Sequence, residues 1–356
     1  MTTYFLSIIM SLGLLLMQTC EPKDSAVAPN THRTDQTQAA EKGATATVAF
    51  YNIENLYDTL DDTNTKDDDF LPNGKLEWDK TRYEKKLTNI AKVLTGIGNG
   101  KMPDIVGLCE VENKSVLQDL IRQAGGGMDI VHFDSPDERG VDVALLYRPE
   151  VLKVIQSENL KVTFASDPSD RTRDVLYVRG SINGEELHLF VNHWPSRREG
   201  PEKSEPKRMA AASVVRQRID AIYAQNDKAK IIIMGDLNDD PDNRSIVETL
   251  QALPDSKNGK DQQLLNLTAA LKARGEGTLV HEGKWNLFDQ LIVSGALANS
   301  KKSLHIKPNS TQIYKQDWML YYDKKNNDKF PSRTYGGTKY YGDYSDHLPV
   351  YLQVAY

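Results

Sequence analysis

The chain of 356 residues has little cysteine: only Cys20 and Cys109, in unlike settings. Small stapled folds need several pairs, so a disulfide framework is excluded. An excess of positive charge is also missing. The 44 Lys+Arg stand against 50 Asp+Glu, a formal net charge of −6 with neutral His. Chains that coat themselves in polyphosphate are usually basic, so any contact with nucleic acid is local, or transient and enzymatic. No apolar run reaches the ~20 residues of a comfortable membrane span. There is no GxxxxGK[ST] phosphate loop, no HExxH and no paired CxxC. With 39% hydrophobic and 26% charged residues, a disordered polymer, a collagen-like fibre and a multi-span membrane protein are excluded too.

What is present begins with MTTYFLSIIMSLGLLLMQTC, uncharged until Glu21. Its apolar run, about Tyr4 to Met17, fits the h-region of a secretory signal. The run ends in Cys20 and gives way to a polar stretch without hydrophobic periodicity. Residues 1–20 therefore read as a signal peptide that resembles a bacterial lipoprotein signal, with Cys20 lipidated, and residues 21–44 as a flexible tether. No Lys or Arg precedes the run, and Thr19 is larger than the residues usual before such a cysteine. The implied location is the cell envelope: an exported protein held on a bacterial membrane by acyl chains, at ~0.8 kcal/mol per buried CH₂.

From residue 45 to residue 356 no low-complexity linker or repeat divides the chain, which reads as one domain. TATVAFYNI alternates and is β-branched, as a strand requires. PDIVGLCEVE, VDVALLYRP, VLYVRGSI, ELHLFVNHW, KIIIMGDLN and NLFDQLIVSG are further strand candidates. Tyr83, Leu87, Ile90, Leu94 and Ile97 fall on one helical stripe ended by Gly98 and Gly100. A second helix carries Ala212, Val215, Ile219 and Ile222 inward. Strands outnumber helices and several are unbroken apolar runs, a pattern of sheets covered on both faces.

The apolar strands carry small polar and acidic groups at their ends: Asn52 and Glu54, Glu110 and Glu112, Asn192 and His193, Asp236 and Asn238, Asp289, Asp346 and His347. Rigid strands aim such side chains well. In this order, from about Val48 to Val354, the segments resemble the endonuclease/exonuclease/phosphatase superfamily of metal-dependent phosphoesterases. Pancreatic-type deoxyribonucleases, abasic-site endonucleases, inositol polyphosphate phosphatases and neutral sphingomyelinases belong to it. The resemblance implies an α/β fold, a four-layer α/β sandwich of two mixed sheets face to face with helices on the outer faces.

It also implies site roles. Asn52 and Glu110 are hard oxygen donors that would hold a divalent metal, Mg²⁺ or Mn²⁺, with Asp346 as a further ligand. Asp236 would be the general base and Asn238 would hold water or phosphate. His193 and His347 match the two histidines near the scissile phosphate, and the sequence does not say which is the acid. Asp289 matches the partner of His347, and Asp142 is the candidate partner of His193. Arg173, Arg197 and Arg198 are candidates for phosphate contact.

Other features read as structure. DDTNTKDDDF lacks the glycine and terminal Glu of an EF-hand loop, so Ca²⁺ is not indicated and the stretch reads as solvated. Cys109 reads as a small core residue. Seven of the sixteen tyrosines lie between Tyr314 and Tyr344, together with Arg333, in a loop suited either to packing or to stacking a base beside the metal. The expected substrate is a phosphodiester, nucleic acid first, with inositol phosphates or lipid head groups as the alternative. No protein partner is indicated.

Overall fold

The apolar runs fold into strands covered on both faces. In the computed structural model, which describes residues 43–254 and 259–356, two seven-stranded sheets face one another. The signal segment, Cys20 and residues 21–42 of the tether lie outside the described residues. Among the described residues no helix is long and apolar enough to cross a membrane.

Strand β1 (Thr45–Leu56) lies at the centre of the first sheet. It pairs parallel with β2 (Ile105–Val111) and antiparallel with Val350–Ala355. Beyond β2 come Asp142–Tyr147 and Asp129–His132. In the second sheet Glu185–His193 runs parallel to Ile231–Asp236, which pairs antiparallel with Asp289–Ser294. Both sheets are mixed, as expected.

Period-two alternation decides which layer each side chain enters. Val48, Phe50, Ile105 and Cys109 point into the space between the sheets, against Leu189, Val191, Ile232, Met234 and Leu291. Ala49, Tyr51, Val106 and Leu108 point the other way, onto helices α1 (Lys80–Ile97) and α2 (Lys114–Gln123). Phe190, Ile231 and Ile233 meet helix α3 (Pro201–Gln225) through Ala212, Val215 and Ile219. The layers are therefore helix, sheet, sheet, helix. Both expected helices form, and the side chain of Asp79 caps α1 by accepting from Arg82 N at 2.9 Å, a contact worth ~1 kcal/mol. The sequence reading did not anticipate α2, or the largely polar edge strand Lys153–Leu160.

Two glycines allow close approach where the sheets carry the site. A Cβ on Gly107 would stand 2.5 Å from Met234 Sδ of the facing sheet, and one on Gly235 would stand 2.6 Å from the backbone oxygen of Asn192. Neighbouring backbone cannot swing aside as a thioether can. Gly235→Ala is expected to cost about 1–3 kcal/mol, read as a melting point lower by several degrees; an unchanged melting point would show that the adjacent strand yields.

Candidate active site

Because β1 runs parallel to β2, and Glu185–His193 parallel to Ile231–Asp236, four strands end on the same side of the sandwich. Backbone irregularity then re-aims their last residues. The β1–β2 register breaks between Asn52 and Leu56, and the pairing of β2 with Asp142–Tyr147 breaks between Cys109 and Val111. Glu54, Asn55 and Glu110 take positive φ there, and Asn238 does so after Asp236. Non-glycine residues pay of order 1 kcal/mol each for this conformation, and bulges of this kind commonly turn side chains toward a site.

Asp236 sits at the meeting point. Its Oδ2 accepts from Asn52 Nδ2 at 3.0 Å, across the two sheets, and its Oδ1 accepts from Asn238 N at 3.0 Å. The same Oδ2 lies 3.7 Å from His193 Nε2 and 3.8 Å from His347 Nε2. Glu110 Oε1 lies 3.4 Å from Asn52 Nδ2 and 3.8 Å from His193 Nε2. Asn238 donates through Nδ2 to Trp194 O at 3.0 Å. His347 donates from Nδ1 to Asp289 Oδ2 at 2.7 Å, as the resemblance implied. The structure thus brings Asn52, Glu110, His193, Asp236, Asn238, Asp289 and His347 together.

The two imidazoles are driven apart in charge. Burial, then the positive field of Arg173 and Arg139, pushes His193 well below the usual histidine range. Burial also opposes charge on His347, but Asp289 and Asp236 outweigh it and hold that imidazole well above the usual range. Burial pushes the Asp236 carboxyl up to about 6, against the pull of His347, with Asp289 adding to the rise.

Three expectations, those for Asp142, Arg173 and Arg197, meet a different geometry. Asp142 does not stand behind His193: it accepts from His132 Nε2 at 2.9 Å and from Ser135 N at 2.8 Å. His193 Nδ1 has no hydrogen-bond partner among the described residues. Arg173 is buried and spent on structure, donating to Asp137 Oδ2 at 3.1 Å and Trp194 O at 2.7 Å. Arg197 turns back on the GDLND loop, donating to Asn238 O at 2.7 Å and to Asp239 and Asn243 at 2.6 Å. Asp346 is paired with Arg333 and lies with Glu110 on the wall of one cavity. Arg198 alone of the three candidate arginines is exposed and unpaired among the described residues, and it lines that cavity.

A divalent metal fits this donor set. The Asn52 amide and the carboxylates of Glu110 and Asp236 converge within hydrogen-bonding reach of one another. Oxygen donors of this type suit Mg²⁺ or Mn²⁺.

The sequence reading missed the support beneath the site. Lys86 of α1, buried at 1% exposure, donates to Thr334 Oγ1 at 2.6 Å and Tyr344 O at 2.7 Å and lies 3.8 Å from Glu54. Asn89, one turn on, donates to the carbonyls of Gly342 and Asp343. Ser345 donates to Asn52 O at 2.8 Å. Together these fasten the loop carrying Asp346 and His347 onto α1 and β1. Lys86 stands three residues after Tyr83, on the buried side of the helix, which is the one signal that marks it. Removing one member of a buried pair costs about 3–5 kcal/mol. Lys86→Met is expected to lose stability on that scale in denaturant melts, and Glu54→Gln added to it should restore part; equal loss in the double variant would show that the two side chains are uncoupled.

Known proteins give the constellation its context. No curated protein matches this sequence. Solved structures share the fold at low identity. The D. rerio TDP2 complexed with a single strand DNA product superposes with a TM-score of 0.53 at 16% identity, covering 88% of this chain and 100% of that one. An endonuclease/exonuclease/phosphatase family protein from Bacteroides thetaiotaomicron gives 0.54 at 17% identity, covering 88% and 98%. A mannosyl-6-phosphatase of the same organism gives 0.53 at 17%, covering 87% and 100%. The model described as the Endonuclease/Exonuclease/phosphatase family matches residues 47–356, nearly the whole folded body, and this chain belongs to that family.

Proposed function

We propose that the protein is an exported, surface-tethered nuclease that hydrolyses phosphodiester bonds with Mg²⁺ or Mn²⁺, water being the nucleophile. The observation that carries the chemistry is the position of Asp236, bonded to Asn52 and within 3.8 Å of both imidazoles. The likeness in fold to a TDP2 holding a DNA product supports the choice of ester.

A phosphodiester is anionic and repels hydroxide, so its hydrolysis needs charge neutralisation, an aligned nucleophile and a protonated leaving group. Asn52 and Glu110 would hold the cation, with Asp346 nearby. When bound, a divalent cation supplies the positive charge that draws in and polarises the phosphate oxygens. Asp236, raised to about 6, is matched to take a proton from the attacking water near neutrality. Asn238, locked between Asp236 and Trp194, holds that water or a phosphate oxygen in line. His193, kept neutral, offers one N–H to a phosphate oxygen. His347, kept charged by Asp289, stabilises the added negative charge and delivers a proton to the departing oxygen.

His193→Ala, Asp236→Asn and Asp289→Asn should each lower turnover of a chromogenic bis-ester and of DNA by at least ~10², with circular dichroism unchanged. EDTA should abolish activity, and Mg²⁺ or Mn²⁺ should restore it. Near-normal rates in a variant would remove that residue from the mechanism.

The export reading rests on the apolar segment ending in Cys20. Mass spectrometry of the mature protein is expected to find acyl groups on Cys20; an unmodified terminus elsewhere would reject the anchor.

A further inference from the structure

Glu110, which would hold the cation, and Asp346 line a cavity of about 260 Å³. Glu54, Leu76 and Thr334 also line it. Its aromatic wall is Phe70 and Tyr335, whose rings meet edge to face with centroids 6.4 Å apart. Those rings are fixed from behind. Phe70 stacks on Tyr57 at 4.3 Å and meets Trp78 edge-on at 6.0 Å, while the Tyr335 hydroxyl donates to Leu76 O at 2.9 Å. Arg198 and Arg333 complete the lining. Arg333 is held by Asp346 and lies 3.8 Å from Glu54. Arg198 is exposed and has no partner among the described residues, so its guanidinium is free to meet an anionic group in the cavity.

Size and charge both bear on what enters. Pockets for drug-sized ligands run from about 300 to 1,000 Å³, so this cavity, somewhat smaller, is of a size for a single ring-sized residue. Beside Phe70 in the chain stand the exposed carboxylates Asp68 and Asp69, with Asp61 and Asp62 exposed earlier on the same loop. Three of these, Asp61, Asp68 and Asp69, line a surface hollow with Leu71 and Lys75. Such a density of carboxylates repels a polyphosphate backbone. Rigid aromatic walls, by contrast, suit the face of a single nucleobase or sugar ring.

We infer that this cavity is an end pocket, which seats one terminal phosphorylated ring against Phe70 and Tyr335 with an anionic oxygen on Arg198, so that the enzyme works from a chain end and not within a strand. The inference rests on the phosphoesterase reading above and narrows it to exo-action. The chemistry at phosphorus is unchanged: water adds, the P–O bond to the leaving oxygen breaks, and that oxygen takes the proton.

The test compares a linear single-stranded oligonucleotide with the same sequence closed into a circle, each with Mg²⁺ and with Mn²⁺. A nucleoside 5′-monophosphate and a hexose 6-phosphate form a third arm. The linear strand should be shortened unit by unit and the circle cut at least ~10²-fold more slowly. Release of phosphate from either small ester would equally support a one-ring pocket and would say which ring it takes. Arg198→Ala should raise KM for the productive substrate about tenfold, the loss expected for one charge-assisted contact; its exposed, unpaired side chain gives the fold no reason to fail. Equal rates on circle and line, or a KM within twofold in that variant, would overturn the end pocket while leaving the phosphoesterase standing. No turnover of the bis-ester or any arm under either metal would instead overturn the phosphoesterase reading, and the pocket with it.

Discussion

One carboxylate, that of Asp236, is where the two sheets of this protein meet chemically. It ends a strand of the second sheet, yet it accepts from Asn52 at the end of the first. Most other members of the site are placed relative to it: Asn238 through its backbone N–H, His193 and His347 through their Nε2 atoms, Asp289 through His347 and Glu110 through Asn52. Carboxylates this deeply buried are unfavourable unless opposed by positive charge. The site meets that demand with an amide and a charged imidazole.

Holding such a cluster requires rigid surroundings, and much of the polar interior serves that end. Arg197 and Arg208 both close on Asp239, in the same turn as Asn238, and Arg208 is itself anchored to Ser204 and Pro201 O. Arg173 clamps the carbonyl of Trp194, the residue after His193, which also receives Asn238. These guanidinium groups fix the backbone around the site, and Arg173 also disfavours charge on His193.

The order of polar strand ends made the site legible before any coordinates, because a polar residue closing an unbroken apolar run has few structural reasons to be there. Asn52, Glu110, His193, Asp236, Asp289 and His347 were all accessible in that way. Sequence alone does not tell which neighbour a carboxylate finds. Asp142 lies opposite Val111 in the β2 register and reaches His132 on the adjoining strand rather than His193. Nor does it tell an arginine that faces phosphate from one that faces a carbonyl; Arg173 and Arg197 are of the second kind, and only Arg198 points outward. The tyrosine-rich stretch divides the same way. Tyr335 and Tyr344 pack against Trp78 and Trp318, while Tyr321, Tyr322 and Tyr341 stay exposed. Cys109 is buried between the sheets, as its apolar setting implied.

The fastening of the His347 loop to α1 has a bearing on how the enzyme dies. That loop has little regular structure of its own, yet its carbonyls are held by a helix whose apolar stripe belongs to the main core. A loop tied only to solvent would fray first and silence the enzyme long before the body melted. Here the catalytic end and the core share one cooperative unit, so heat inactivation and global unfolding become a single event.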